Sequence, residues 1–156
     1  MNEFRNIDDI LDFAIEREQD AVNFYNKMAA GARNADMKAT FEQFAQEEMG
    51  HKAKLLKIKV EGINALKNEK VQDLKIADYI VRDEHRGELN YEQALVLAMK
   101  REKAAFRLYL TLSERVKDTE YKNLFLSLAQ EESRHKLRFE LEYDRSEEHT
   151  SELPSH

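Results

Sequence analysis

Phe44-Ala45-Gln46-Glu47-Glu48-Met49-Gly50-His51 recurs 84 positions later as Leu128-Ala129-Gln130-Glu131-Glu132-Ser133-Arg134-His135. Each copy holds a Glu-x-x-His, and thirty residues before each lies another glutamate, Glu18 in the first half and Glu102 in the second. Residues three apart on an α-helix share a face. Glu48 therefore projects with His51, and Glu132 with His135. The flanks align at the same offset, pairing Arg17 with Arg101, Ala21 with Ala105, Tyr25 with Tyr109 and Phe41 with Phe125. Identity at one fixed offset marks an internal repeat.

The apolar positions around these motifs recur at steps of three and four. The first helix reads Ile7, Leu11, Ala14, Glu18, Ala21, Tyr25, Met28, and the second Phe41, Phe44, Glu48, His51, Leu55, Ile58. The third reads Leu95, Ala98, Glu102, Ala105, Tyr109, Leu112, Val116, and the fourth Tyr121, Phe125, Leu128, Glu132, His135, Phe139. This is the inward seam of an all-α bundle, without strand-like alternation. Gly31 with Asn34, and Asp118 with Thr119, mark tight turns, and Asn90 with Gln93 forms a capping box. Short turns make two antiparallel hairpins. The stretch 67–89 joins them as a long crossover with a short helical pattern of its own (Leu74, Ala77, Ile80, Val81). Such a crossover, running the length of the bundle, is expected to leave the first and third helices parallel.

Each ligand-type glutamate lies about 15 residues from its turn, or roughly 22 Å along the axis. With the first and third helices parallel, all four carboxylates meet at one level. Burying an ionised carboxylate without a partner costs several kcal/mol or forces its protonation. No Lys or Arg sits on these seams to neutralise the four. Two divalent cations supply the missing charge, and oxygen-rich ligation with one imidazole per ion suits iron or manganese better than copper, with zinc also compatible. The expected assignment is Glu18, Glu48 and His51 to one ion and Glu102, Glu132 and His135 to the other, Glu48 and Glu132 being placed to bridge.

Other residues near the motif carry two readings each. Tyr25 and Tyr109 either donate to a ligand carboxylate of the other hairpin or are core tyrosines whose hydroxyls reach water. Gly50 either leaves room at the site or is simply tolerated in a long helix. Glu47 and Glu131, about 100° round from the ligands, read as solvent-facing. His85, His149 and His156 lie off the seams and receive no role. Residues 1–144 form the bundle. The segment 145–156, Arg-Ser-Glu-Glu-His-Thr-Ser-Glu-Leu-Pro-Ser-His, breaks the pattern and reads as a non-native or disordered tail, such as a translated cloning remnant.

Composition narrows the function classes. A chain of 156 residues is one domain with room for a core. The net charge of -6 argues against nucleic acid as a partner. The absence of cysteine removes disulfides, thiolate zinc sites and iron–sulfur clusters, and it fits a reducing compartment. There is no apolar run of membrane-spanning length and no signal peptide at the start, so a cytoplasmic protein is expected.

Over about residues 7–143 the chain resembles the ferritin-like superfamily, most closely its rubrerythrin-type branch. The stretches that carry the likeness are Glu16-Arg-Glu-Gln-Asp-Ala-Val-Asn-Phe-Tyr25, Phe44–His51, Ala98-Met-Lys-Arg-Glu-Lys-Ala-Ala-Phe106 and Leu128–His135. The resemblance implies a ferritin-like four-helix bundle holding two iron ions that react with hydrogen peroxide or dioxygen. It carries the six ligands onto Glu18, Glu48, His51, Glu102, Glu132 and His135. It also suggests a homodimer or higher oligomer.

Two departures from that family matter. The four-cysteine rubredoxin-like domain of full rubrerythrins has no counterpart here, so electrons are expected from an external donor such as a rubredoxin or a flavoprotein. The family's extra glutamate, three residues after the third-helix ligand, is Ala105 in this chain. The symmetric six-ligand set is similar to that of bacterioferritin, whose haem-binding methionine corresponds to Met49; packing at a helix face explains a methionine there better than haem does. Three readings follow: a di-iron oxidoreductase, a ferroxidase serving iron storage, and a non-redox interaction bundle with structural metal or none.

Overall fold

Four long helices carry the chain in the computed structural model, which describes residues 3–71, 73–82 and 87–152, with side chains through residue 146. They are α1 (Ile7–Ala30), α2 (Ala35–Lys57), α4 (Tyr91–Arg115) and α5 (Thr119–Glu152), with a one-turn helix α3 (Ile63–Leu66) in the crossover. The expected seams are the buried faces. Ile7, Leu11, Ala14, Glu18, Tyr25 and Met28 of α1 are buried, with Ala21 half-buried; Phe41, Phe44, Glu48, His51 and Leu55 of α2 are buried, as is Ile58 just beyond it. On α4 and α5 the departures are Ala105 and Tyr121, both half-buried.

The helix starts are set by local chemistry. The side chains of Asn6 and Asn34 accept from the backbone N–H of Asp9 and Met37 at the starts of α1 and α2. Asn90 and Gln93 form the full reciprocal capping box on α4. Asp118 Oδ1 accepts from Tyr121 N at the start of α5. Gly31 closes α1, its N–H reaching the Met28 carbonyl.

α1 packs along α2, and α4 along α5, as two antiparallel hairpins. The direction between hairpins differs from the expected one. Arg33, just past the end of α1, pairs with Glu92 at the start of α4. At the other end, Arg115 closes α4 with a bidentate contact to Asp73 of the crossover, beside the strand-like pairing of Glu3 with Lys75 near the start of α1. Thus α1 and α4 run antiparallel. A crossover that spans the bundle carries the chain back to the opposite end before α4 begins, so α2 and α4 run the same way. A two-fold rotation, and not a simple shift, therefore relates the halves of the repeat.

The crossover is less helical than its sequence pattern predicts. α2 passes into a π-helical turn, Ile58–Gly62, and then α3. Of the pattern at Leu74, Ala77, Ile80 and Val81, only the 3-10 turn Ile76–Tyr79 forms; Gln72 and residues 83–86, His85 included, lie outside the described residues. Leu66, Val71, Leu74 and Tyr79 seal one end of the core. Gly62 has no room for a side chain, because a Cβ there would lie 2.5 Å from the Tyr121 ring at the start of α5.

The helical backbone runs on past residue 144, where the bundle is expected to end. α5 continues to Glu152, and Ser146 is buried, with Arg33 Nη1 donating to its Oγ at 3.2 Å. His149 falls beyond the described side chains, and His156 outside the described residues altogether. Among the described residues no helix is long and apolar enough to cross a membrane.

Candidate metal centre

Between the hairpins the apolar core is interrupted by one cluster of charge. Glu18, Glu48, His51, Glu102, Glu132 and His135 are each at most 2% exposed. They form two overlapping sets. Ligand atoms of Glu18, Glu48, His51 and Glu132 lie within 4.8 Å of one another, and so do those of Glu48, Glu102, Glu132 and His135. Glu48 and Glu132 belong to both sets. The long helices set this up locally, since each Glu-x-x-His presents both groups on one face of α2 or α5.

The arrangement leaves polar atoms stranded. His51 Nδ1 sits 3.0 Å from Glu48 Oε1, 3.2 Å from Glu132 Oε1 and 3.5 Å from Glu18 Oε2. None of these approaches has the alignment of a hydrogen bond. Both nitrogens of His51, together with Glu18 Oε1, Glu48 Oε1 and Glu132 Oε1, are buried without a hydrogen-bond partner. Protein interiors almost never tolerate that many orphaned groups in one place. Two cations with these atoms as ligands would resolve it, so the donor set fits a pair of metal ions.

The electrostatics point the same way. Burial raises the Glu48 carboxyl well above its usual range, and Glu132, Glu18 and Glu102 push it further. Glu132 is raised likewise, by burial and then by Glu102 and Glu18. For His51, burial works against the charged ring, but Glu18 and Glu48 outweigh it and push it up to about 11. Without metal, protons must stand in for the missing positive charge.

Tyr25 Oη donates to Glu102 Oε1 at 2.7 Å, and Tyr109 Oη donates to Glu18. Both tyrosines reach the carboxylate of the other hairpin, and neither is open to water. The antiparallel course of α1 and α4 explains this: Tyr25 and Tyr109 lie seven residues, roughly 10 Å, beyond their own glutamates and so abreast of each other's. Burial and the neighbouring glutamates push both phenols well above their ordinary range, so each remains a proton donor.

Glu47 and Glu131 are not the solvent-facing residues their helix positions suggest. Glu47 Oε1 lies 2.9 Å from His135 Nε2, and Glu131 Oε2 lies 3.3 Å from His51 Nε2. Each carboxylate comes from the hairpin opposite its histidine. Held this way, the His135 ring keeps Nε2–H on Glu47 and turns Nδ1 to the cluster, while His51 Nε2 stands near Glu131 without a hydrogen bond. Partial burial would raise Glu47, yet its contacts with His135, Gln43 and Arg134 hold it below the usual range. The signal for this pair was present in the identical Ala-Gln-Glu-Glu of both halves, but its partner on the other hairpin is invisible to helix periodicity. Phe44 stacks on the His135 ring at 4.0 Å between centroids; the matching position over His51 is Leu128. Gly50 is exposed, with nothing within 4 Å of an added Cβ, so it makes no room at the site. Met49 is 57% exposed.

A cavity of about 170 Å³ opens between α1 and α4 and reaches Glu18, Glu48, Glu102 and Glu132. Small atoms thus have a path to the cluster.

The family model of Rubrerythrin matches residues 9–143, which covers both Glu-x-x-His motifs and the whole cavity. The chain belongs to the Rubrerythrin family. Its fold is similar to the crystal structure described as a ferritin-like diiron-carboxylate protein from Thermotoga maritima, with TM-score 0.78 and 21% identity over 94% of this chain and 99% of that one. It is also similar to a hypothetical protein from Pyrococcus furiosus, with TM-score 0.70 and 27% identity over 90% of this chain and 89% of that one. Among curated proteins none matches this rubrerythrin-family chain.

Proposed function

We propose that the protein holds two iron ions between its hairpins and reduces hydrogen peroxide, or more slowly dioxygen, with electrons from a separate donor. The observation that carries this reading is the convergence of four buried carboxylates and two imidazoles with five polar atoms left without partners. Membership of the Rubrerythrin family supports iron over the other ions that the donor set admits. Glu18 and His51 would hold one ion and Glu102 and His135 the other, with Glu48 and Glu132 shared. Bound there, a ferrous pair supplies the two electrons that, with two protons, cleave the O–O bond of hydrogen peroxide to two waters.

The chain's own residues serve that chemistry by position. Tyr25 and Tyr109 hold Glu102 and Glu18 in place through buried hydrogen bonds. Glu47 fixes the His135 imidazole, Glu131 lies beside that of His51, and α1 and α4 leave the approach open. In this reading a partner such as a rubredoxin or a flavoprotein supplies the electrons.

Stopped-flow oxidation of the ferrous protein tests this reading. Hydrogen peroxide should oxidise it at least about tenfold faster than equimolar dioxygen, a barrier difference of about 1.4 kcal/mol. Faster reaction with dioxygen, with iron accumulating well beyond two per chain, would favour the ferroxidase reading. That reading draws on the near-symmetric six-group set and on alanine at position 105.

A further inference from the structure

The cavity between α1 and α4 is larger than hydrogen peroxide or dioxygen requires. Its 170 Å³, the space at the glutamate cluster included, is of the size of the roughly 150 Å³ engineered apolar cavity that accepts benzene. Its walls are largely apolar and include Phe13, Ala14, Ala21, Ala105 and Leu108, with Asp20 among the polar groups, while its floor is the glutamate cluster. Tyr79 and Val81 of the crossover close one side. A site serving only a diatomic or a peroxide gains nothing from such walls, because these oxidants offer little apolar surface to bury.

Two half-buried arginines at equivalent repeat positions, Arg17 and Arg101, line the same cavity. Arg17 is partly used: it pairs with Glu16 at 3.0 Å and Asp20 at 3.3 Å, but its Nε is buried without an acceptor. Arg101 lies over the Phe24 ring at 4.8 Å and, among the described residues, has no carboxylate partner. A guanidinium without a carboxylate partner at the edge of an apolar pocket is a ready receptor for a planar anion.

We propose that this pocket binds a small organic anion, a body about the size of a benzene ring carrying one carboxylate or similar head group. The head lies on Arg101, and the body lies along Ala105 and Leu108 beside the cluster. The inference rests on the di-metal reading, because four carboxylates at the floor repel an anion until cations neutralise them. It makes a small organic acid a ligand of the pocket beside the metal pair.

The test uses full-length protein loaded with zinc, which is redox-silent, with metal counted per chain before titration with benzoate in a calorimeter. Benzoate should bind with a dissociation constant below about 1 mM, and benzyl alcohol at least about tenfold more weakly. Arg101→Gln and Ala105→Leu should each weaken benzoate at least about tenfold, by loss of the charge and by filling the pocket. Arg107→Gln, which changes an exposed arginine of the same helix, should leave the isotherm as it was. No binding in protein carrying two zinc ions per chain overturns the pocket assignment and leaves the metal centre standing. Equal binding of acid and alcohol, or indifference to both pocket variants, overturns it as well. Failure to load two ions removes the di-metal reading beneath it, and the metal count shows this before any benzoate is added.

Discussion

Glu47 on α2 and His135 on α5 meet across the bundle, Oε1 to Nε2 at 2.9 Å, one residue from the shared Glu48. Glu131 and His51 repeat the contact in the opposite sense at 3.3 Å. The first hairpin thus orients the histidine of the second through a hydrogen bond, and the second places a carboxylate beside the histidine of the first.

Glu47→Ala and Glu131→Ala should each leave the fold intact and weaken metal affinity about 10- to 100-fold, the usual cost of removing a carboxylate behind a ligating imidazole. The effect should be larger for Glu47, whose contact is shorter and whose side chain is 20% exposed against 31% for Glu131. Competition with a coloured chelator measures both. Unchanged affinity in both variants contradicts the orienting role.

Glu48→Gln with Glu132→Gln should abolish metal uptake and stabilise the metal-free protein. Both carboxyls are buried, and both are raised by burial and by each other's neighbours. Neutral amides relieve that repulsion, as replacing buried charge often does, by about 1–4 kcal/mol. In a chain of this size each kcal/mol moves Tm by about 2–4 °C. A lower Tm for the metal-free double variant would contradict the account.

Stability of the metal-free protein should fall as pH rises. Glu48 and Glu132 are raised above the ordinary 4.5, and His51 is pushed from 6.5 up to about 11. The folded chain therefore binds more protons than the unfolded one throughout the window above pH 4.5. Stability declines with pH wherever that holds. The His51 contribution is complete below 6.5 and is lost as pH climbs towards 11. Metal binding needs deprotonated ligands, so its own stabilisation should grow over the same range. Thermal melts between about pH 6 and pH 9, with and without metal, should show opposite slopes, and a metal-free Tm rising with pH would refute the assignment of these groups.

Tyr25→Phe should strand a carboxylate oxygen of Glu102 that now accepts at 2.7 Å in the core. Leaving such a group unsatisfied costs about 1–3 kcal/mol. The metal-loaded protein should lose roughly 2–12 °C in Tm while still holding its metal. Tyr109→Phe should do the same through Glu18. Wild-type melting in both variants would mean that the hydroxyls merely fill space.

The helices, the capping box of α4 and the six converging groups were legible in the sequence, the last because glutamate and histidine at seam positions contradict the apolar pattern. The direction of α4 was not. A repeat read along the chain suggests translation, whereas hairpins joined by a bundle-length crossover are related by rotation, as the Arg33–Glu92 contact requires. That reversal also puts Tyr25 abreast of Glu102. Glu47 and Glu131 escaped notice because helix phase predicts only which way a side chain leaves its own helix, and their partners come from another. Arg101 in the cavity is likewise a tertiary fact: its position on α4 shows charge, but only packing against α1 makes a pocket of it.

Iron(II) titration of metal-free protein in air, following near-ultraviolet absorbance and the iron retained per chain, bears most directly on the central claim. Two overlapping ligand sets sharing Glu48 and Glu132 predict saturation at about two ions per chain, and loss of both in the Glu48→Gln, Glu132→Gln variant. Absence of saturable uptake, or a single ion unaffected by that double replacement, would contradict a centre built from these six residues.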